Sequence, residues 1–226
     1  MNFIELLAEP YKTYENWQIA LEVIGTLFGI VSVFFSIRKN ILYYPIGIVS
    51  TSIYVVLLYR FGLLGDMLIN FYYTVMSIYG WVLWSRHTTD NFHIEASRAT
   101  KREWKISAML FCASFLLVLL VYYFKPAIDN GFSMKSIDLG INHLDWANWM
   151  DMFTTSLFLI AMWLQAKRRI ECWILWTIGN IICIPMMIYK GLVISSFQYF
   201  VFSIMAFAGW KEWQKTLRPR ENVPIP

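Results

Sequence analysis

The sequence predicts an all-α integral membrane protein: seven transmembrane helices, arranged as two parallel three-helix repeats joined by a linker helix in a 3+1+3 order. Three observations predict it. Of the 226 residues, 58% are hydrophobic, 18% aromatic and only 15% charged, whereas an ordinary soluble domain has roughly 45–50% apolar and about 25% charged residues. The apolar residues fall in blocks of about 20, the length a helix needs to cross a hydrocarbon core of roughly 30 Å. The first three blocks also lie on the last three when the chain is shifted by 129 residues without gaps.

The blocks place spans at about 17–37, 41–60, 63–85, 105–124, 146–166, 170–190 and 192–213. Each is expected to be helical, because lipid offers backbone N–H and C=O groups no partner outside the segment. Residues 1–16 are then an extracytoplasmic N-terminal tail, 17–85 the first repeat, 86–104 a cytoplasmic loop and 105–124 the linker helix. An outer loop follows at 125–145, the second repeat at 146–213 and a cytoplasmic tail at 214–226. Gly62 and Gly191 mark tight turns between spans. Trp17, Trp81, Trp84, Trp104, Trp146, Trp210 and Trp213 fall near span ends, where an interfacial aromatic belt sits. The opening "MNFIELLAEPYKTYENW" has no cationic start and no small-residue cleavage site, so no signal peptide is expected.

Basic residues set the orientation. Arg38, Lys39, Arg86, Arg98, Lys101, Arg102, Lys105, Lys167, Arg168, Arg169, Lys211, Lys215, Arg218 and Arg220 fall on one side, and Lys12, Arg60, Lys125, Lys135 and Lys190 on the other. The positive-inside rule puts the richer side, and with it the C-terminus, in the cytoplasm and the N-terminus outside. The net charge of +4 is used up in these connections and implies no nucleic-acid partner. Cys112, Cys172 and Cys183 lie in or beside apolar blocks. Their odd number and lack of metal spacing argue against a disulfide framework.

The repeat carries more than generic apolar matches. Identical pairs include Trp17/Trp146, Thr26/Thr155, Gly62/Gly191, Phe71/Phe200, Gly80/Gly209, Trp81/Trp210 and Trp84/Trp213, with Glu22/Asp151, Arg38/Lys167 and Lys39/Arg168 conservative. Three spans are an odd number, so a directly joined second copy would be inverted. The extra span "SAMLFCASFLLVLLVYYF" turns it back, and its membrane stretch, almost without polar side chains, suits a lipid-facing linker. Two parallel repeats about an axis along the membrane normal form a transporter architecture, expected to place a site at the repeat interface near the midplane.

The polar residues inside the spans need explaining. Trp173, Trp176 and Asn180 share one face of span 6 by i, i+3, i+4 spacing. Span 3 offers Asp66, Asn70, Tyr73, Thr74 and Ser77; span 2 offers Tyr44, Gly47, Ser50, Thr51 and Tyr54; span 7 offers Ser195, Gln198, Tyr199 and Ser203. Such residues usually face a bundle interior or a watery cavity. Ser, Thr, Asn and Gln also join helices without binding anything, and a single Ser or Thr reads first as such a joint. Asn180 and Gln198 read instead as substrate contacts, because their repeat mates Thr51 and Ile69 differ, and a substrate is asymmetric where packing would recur. Gly25-x-x-x-Gly29 reads as close packing within the bundle. Glu22, Asp66 and Asp151 lie near span ends as rim residues, or as proton-coupling groups. Pro185 inside span 6 is a candidate hinge. His87, His93 and His143 fall in loops, and no metal site or cofactor is expected.

The block "CWILWTIGN", the block "FYYTVMSIYGWVLWSR" and the 3+1+3 repeat resemble the PnuC family of bacterial vitamin transporters over nearly the whole chain. The most specific element is that family's W-x-x-x-N motif, here Trp176 and Asn180. The resemblance implies a SWEET-like fold in the bacterial inner membrane, possible homotrimers, and import of nicotinamide riboside for NAD biosynthesis, or of thiamin or riboflavin. Import would be facilitated diffusion, followed by trapping through a cytoplasmic kinase. It further implies that Trp176 stacks on the substrate ring while Asn180 hydrogen-bonds its amide or sugar, with Trp173, Asn70, Gln198, Tyr199, Ser50, Thr51, Tyr73 and Ser77 around them. Nicotinamide riboside members tend to have Gln and Asn at the positions of Asn70 and Ser50, and often Glu–Tyr at Gln198–Tyr199.

Other classes fit less well. A SWEET-like sugar carrier would also use Trp and Asn. An intramembrane enzyme would need a nucleophile–base or carboxylate–histidine set at midplane depth, and a receptor a sizeable soluble domain; neither is visible. There is no G-x-x-x-x-G-K-[ST] loop to couple ATP. Passive alternating access is therefore expected, with the two three-helix bundles rocking about a central site.

Overall fold

A computed structural model describes residues 15–60, 64–85, 96–130, 139–142, 144–189 and 193–217. Among them the chain forms eight helices: α1 Asn16–Ile37, α2 Tyr43–Arg60, α3 Leu64–Ser85, α4 Lys101–Tyr123, α5 Lys125–Asp129, α6 Trp146–Ala166, α7 Glu171–Tyr189 and α8 Val193–Leu217. All but α5 are 18 residues or longer, and each long helix overlaps one predicted span. By length and composition, α1, α4 and α7 are apolar enough to cross a membrane. The Gly62 and Gly191 turns and the three histidines lie outside the described residues.

Local chemistry sets the helix ends. At the start of α4, the Glu103 N–H donates to Thr100 Oγ1 at 3.3 Å and the Thr100 N–H to Glu103 Oε2 at 2.8 Å. This capping box satisfies two donors that a helix start leaves open. It begins the helix at Lys101, four residues before the predicted span. At the end of α1, the Lys39 N–H bonds the Ser36 carbonyl at 3.0 Å and the Asn40 N–H the Phe35 carbonyl at 2.9 Å. That is a Schellman cap, which needs a left-handed residue at its turn. Lys39 takes that role at φ 56°, and its repeat mate Arg168 does so after α6 at φ 60°, with the Arg168 N–H on the Gln165 carbonyl at 2.9 Å. Two basic residues hold a conformation that favours glycine, at matching places in both repeats. Partial burial pushes the Lys39 ammonium pKa down, opposed by the Glu212 carboxylate.

The chain divides into two compact units that do not follow the repeat boundaries. Unit 1 comprises residues 1–97, 165–170 and 208–226; unit 2 comprises 98–164 and 171–207. In unit 1, α1 packs on α2 and α2 on α3. The Gly25-x-x-x-Gly29 face meets α2, Gly25 at Ile53 and Gly29 at Ser50. Gly80 of α3 makes room for the fully buried ring of Tyr44; a Cβ there would sit 2.4 Å from that ring. The 96–100 segment returns to the connection after α6, where the Ser97 N–H donates to the Arg168 carbonyl and the Ile170 N–H to the Ser97 carbonyl, both at 3.0 Å.

In unit 2, Met152, Ala161, Leu164, Cys172, Trp173, Cys183 and Met186 are buried. Helix α4 meets α6 through Phe111 on Phe153 and Phe115 on Trp149. Tyr122 donates to Asp151 Oδ2 at 2.6 Å. Only Ser107 of α4 is buried.

Candidate functional site

Helix α7 places Trp173, Trp176 and Asn180 along one face. Trp173 and Asn180 are buried, 2% and 4% exposed, and Trp176 is half-buried. Helix α6 adds a ring that the sequence analysis did not nominate. Phe158 stacks on Trp176 with centroids 5.1 Å apart and planes 25° apart. Its ring is also nearly parallel to that of Tyr199 on α8, at 6.5 Å and 4°. Three helices of unit 2 thus contribute one ring each. Beneath them Ala147, Cys183 and Met186 form a buried apolar floor, with Met150 and Met187 packed on it.

Gly179 makes this arrangement possible. A Cβ at that position would lie 2.3 Å from the Phe158 ring, closer than any real contact. The repeat explains the pair. The mates of Phe158 and Gly179 are Gly29 and Ser50, and these also face each other, small against small. The second repeat has exchanged a small–small contact for a ring lodged over a glycine. The sequence carries a signal for this: the repeat pair Gly29/Phe158 is as unequal as the Asn180/Thr51 pair.

The candidates in unit 1 carry more local bonding. Ser50 donates to the Gly25 carbonyl at 2.7 Å. Thr51 donates to the Gly47 carbonyl at 3.0 Å and accepts from Thr74 at 2.7 Å. Thr74 lies 3.0 Å from the carbonyl of Asn70. The Ser50–Gly25 and Thr74–Thr51 bonds join neighbouring helices, whereas Thr51 and Thr74 also bond back to the i−4 carbonyl of their own helix. Ser77 is buried beside Gly47, and Tyr73 neighbours Tyr72 with ring centroids 6.0 Å apart.

The remaining candidates differ in their surroundings. Gln198 is exposed, unlike its neighbour Tyr199. Of the rim carboxylates, Asp151 is engaged by Tyr122. Glu22 lies one turn before Thr26, which pairs with Tyr54 at 2.6 Å; the side chain of Asp66 lies outside the described residues. Helix α7 continues through Pro185 to Tyr189.

The ring faces attract a flat aromatic, more strongly if it is cationic, while an amide offers both a donor and an acceptor to a polar substituent.

The chain is similar to proteins of known family. A family model described as "Nicotinamide mononucleotide transporter" matches residues 19–215. The chain is 24% identical over 213 residues to the "Nicotinamide riboside transporter PnuC" of Escherichia coli (strain K12), covering 88% of this chain and 87% of that protein. It is 20% identical over 225 residues to the "Riboflavin/roseoflavin transporter RibM" of Streptomyces davaonensis, covering 100% and 97%. Its fold is similar to that in a "Crystal structure of the Vitamin B3 transporter PnuC", with a TM-score of 0.60 and 23% identity over 95% of this chain and 88% of that one.

Proposed function

Since the chain belongs to the nicotinamide mononucleotide transporter family, matched over residues 19–215, we propose that it imports a flat-ringed vitamin precursor, nicotinamide riboside first among them, across the bacterial inner membrane. The observation that carries this reading is the Trp176–Phe158–Tyr199 ring set beside the buried Asn180. Nicotinamide riboside joins a cationic aromatic ring to an amide and a sugar. A ring face attracts such a cation by about 0.5 to 2 kcal/mol when desolvated, and the amide and sugar suit Asn180. Similarity to proteins named as transporters of nicotinamide riboside and of riboflavin/roseoflavin supports the substrate class.

In this reading the seven long helices span the membrane in a 3+1+3 order, with the N-terminus outside and the C-terminus in the cytoplasm. Transport is facilitated diffusion, and phosphorylation by a cytoplasmic kinase traps the product. Trp173, Asn70, Gln198, Tyr199, Ser50, Thr51, Tyr73 and Ser77 remain the wider candidate shell, and Glu22, Asp66 and Asp151 the rim. Without a kinase, labelled nicotinamide riboside enters protein-containing liposomes only until inside and outside concentrations match, with potential and pH gradients clamped to zero. A pH gradient alone, with the potential held at zero, drives no accumulation. Accumulation under that gradient would establish proton coupling and make the rim carboxylates the first residues to mutate. Uptake of thiamin or riboflavin but not nicotinamide riboside would reassign the substrate.

A further inference from the structure

Within unit 1, the ends of the two repeats are tied together by repeat mates. The Trp84 Nε1–H of the first repeat donates to the carbonyl of Ala166, the last residue of α6, at 3.0 Å. The Trp213 Nε1–H of the second repeat donates to the carbonyl of Ser36, in the last turn of α1, at 2.9 Å. The two bonds are reciprocal: each repeat's third helix caps the end of the other repeat's first helix. Ser36 and Gln165 are themselves mates, and Gln165 Nε2 donates to Ser36 Oγ at 2.8 Å. The indoles of Trp84 and Trp213 lie 6.0 Å apart. Trp84, Trp213 and Ser36 are 0% exposed and Gln165 4%. Mates that touch each other lie where an axis relating two parallel repeats would have to pass.

We propose that Trp84, Trp213, Ser36 and Gln165 form a gate at this end of the molecule, and that it parts in every transport cycle. The inference rests on the transporter reading. In a carrier built from two parallel repeats, the substrate site lies at the repeat interface. Side chains bonded across the axis close the way out along it. Trp84 is fixed within its own repeat: its ring meets Tyr44 edge-on at 4.8 Å, and Tyr44 is seated over Gly80. The joint that can part is therefore the one between repeats, and its bonds are neutral hydrogen bonds that water can replace. The gate adjoins the basic connections Arg38–Lys39 and Lys167–Arg169, so the orientation proposed above makes it the cytoplasmic one. Lys39 adds an outer contact across the repeats, Nζ to Thr216 Oγ1 at 2.9 Å.

The experiment fixes the gate shut. In a background with Cys112, Cys172 and Cys183 replaced by alanine, whose own uptake is the reference, Ser36→Cys and Gln165→Cys are combined. They are bridged with a short bifunctional methanethiosulfonate. Uptake of labelled nicotinamide riboside into liposomes should fall at least tenfold on bridging and return on reduction. Uptake at the unbridged rate with the bridge intact would make the layer a permanent pivot and overturn the gate.

A second arm needs no substrate and no double cysteine. With Ser36→Cys alone, labelling by a membrane-impermeant maleimide from the C-terminal side should quicken about tenfold when Trp84→Phe and Trp213→Phe are added. These changes keep the rings and remove both N–H donors, and about 1.4 kcal/mol corresponds to tenfold. An unchanged labelling rate in folded protein would also overturn the proposal. Absence of nicotinamide riboside uptake by the unbridged protein would instead refute the substrate reading, and the labelling arm still decides the gate.

Discussion

Trp176 and Asn180 act at the scale of single side chains, and their removal gives the most direct test. Trp176→Ala and Asn180→Ala should each weaken binding of nicotinamide riboside, the proposed substrate, about tenfold or more, measured by calorimetry on folded protein in detergent. Loss of a partner to a buried polar group costs about 1–3 kcal/mol, and about 1.4 kcal/mol is tenfold. Unchanged affinity in both would place the site elsewhere. Phe158 and Gly179 give a paired test. Phe158→Leu keeps apolar bulk but removes a ring stacked at 5.1 Å on Trp176. Gly179→Ala keeps the ring but puts a Cβ where only 2.3 Å is free. Both should lower affinity severalfold, and Gly179→Ala should also cost about 1–3 kcal/mol in stability, as overpacking does. If Phe158→Leu binds as tightly as the parent protein, Phe158 is packing alone.

Whole helices depend on their ends as well as their apolar faces. Thr100 starts α4 by a reciprocal box with Glu103, so Thr100→Ala should cost about 1 kcal/mol. The check is a lower thermal midpoint with binding affinity unchanged, since α4 contributes no candidate site residue. An unaltered midpoint would mean that the start of α4 is held by its neighbours instead. The Ala99 N–H on Glu171 Oε2 at 2.9 Å is the available neighbour contact. The first helix of each repeat ends on a left-handed basic residue, Lys39 or Arg168. A long cationic side chain at that corner reaches the aqueous boundary while the backbone turns, which glycine could not do. Both corners combine a turn with a topology signal.

The orientation proposed for the whole molecule rests on where the basic residues of those corners fall along the chain. A C-terminal reporter active only in the cytoplasm should work when fused after Pro226, and activity of a periplasm-only reporter at that position would reverse the proposed topology. The same charges frame the gate, so the two proposals stand on one geometry but fail separately. A reversed topology would move the gate to the outer face without breaking its bonds. The division of the chain matters here too. Helices α6 and α8 begin in unit 2 and finish in unit 1, so the compact units are not the two repeats, and any rocking of the repeats must act against the ties that Trp84 and Trp213 make.

The sequence by itself determined the all-helical class, the approximate place of each long helix among the described residues and the membership of the family. These depend on hydropathy and motif spacing, which are local properties of the chain. It also made Trp176 and Asn180 legible, because a polar group in an apolar run is conspicuous wherever the chain goes. It did not reveal Phe158, since a phenylalanine in an apolar block looks like any other; only the fold lays it over Gly179 and between two rings. Nor did it reveal the gate. Ser36/Gln165 and Trp84/Trp213 can be read as mates in a repeat, but symmetry equivalence says nothing about touching. That was decided when the helix ends packed together, where buried indole N–H groups had to find acceptors and found them in the other repeat.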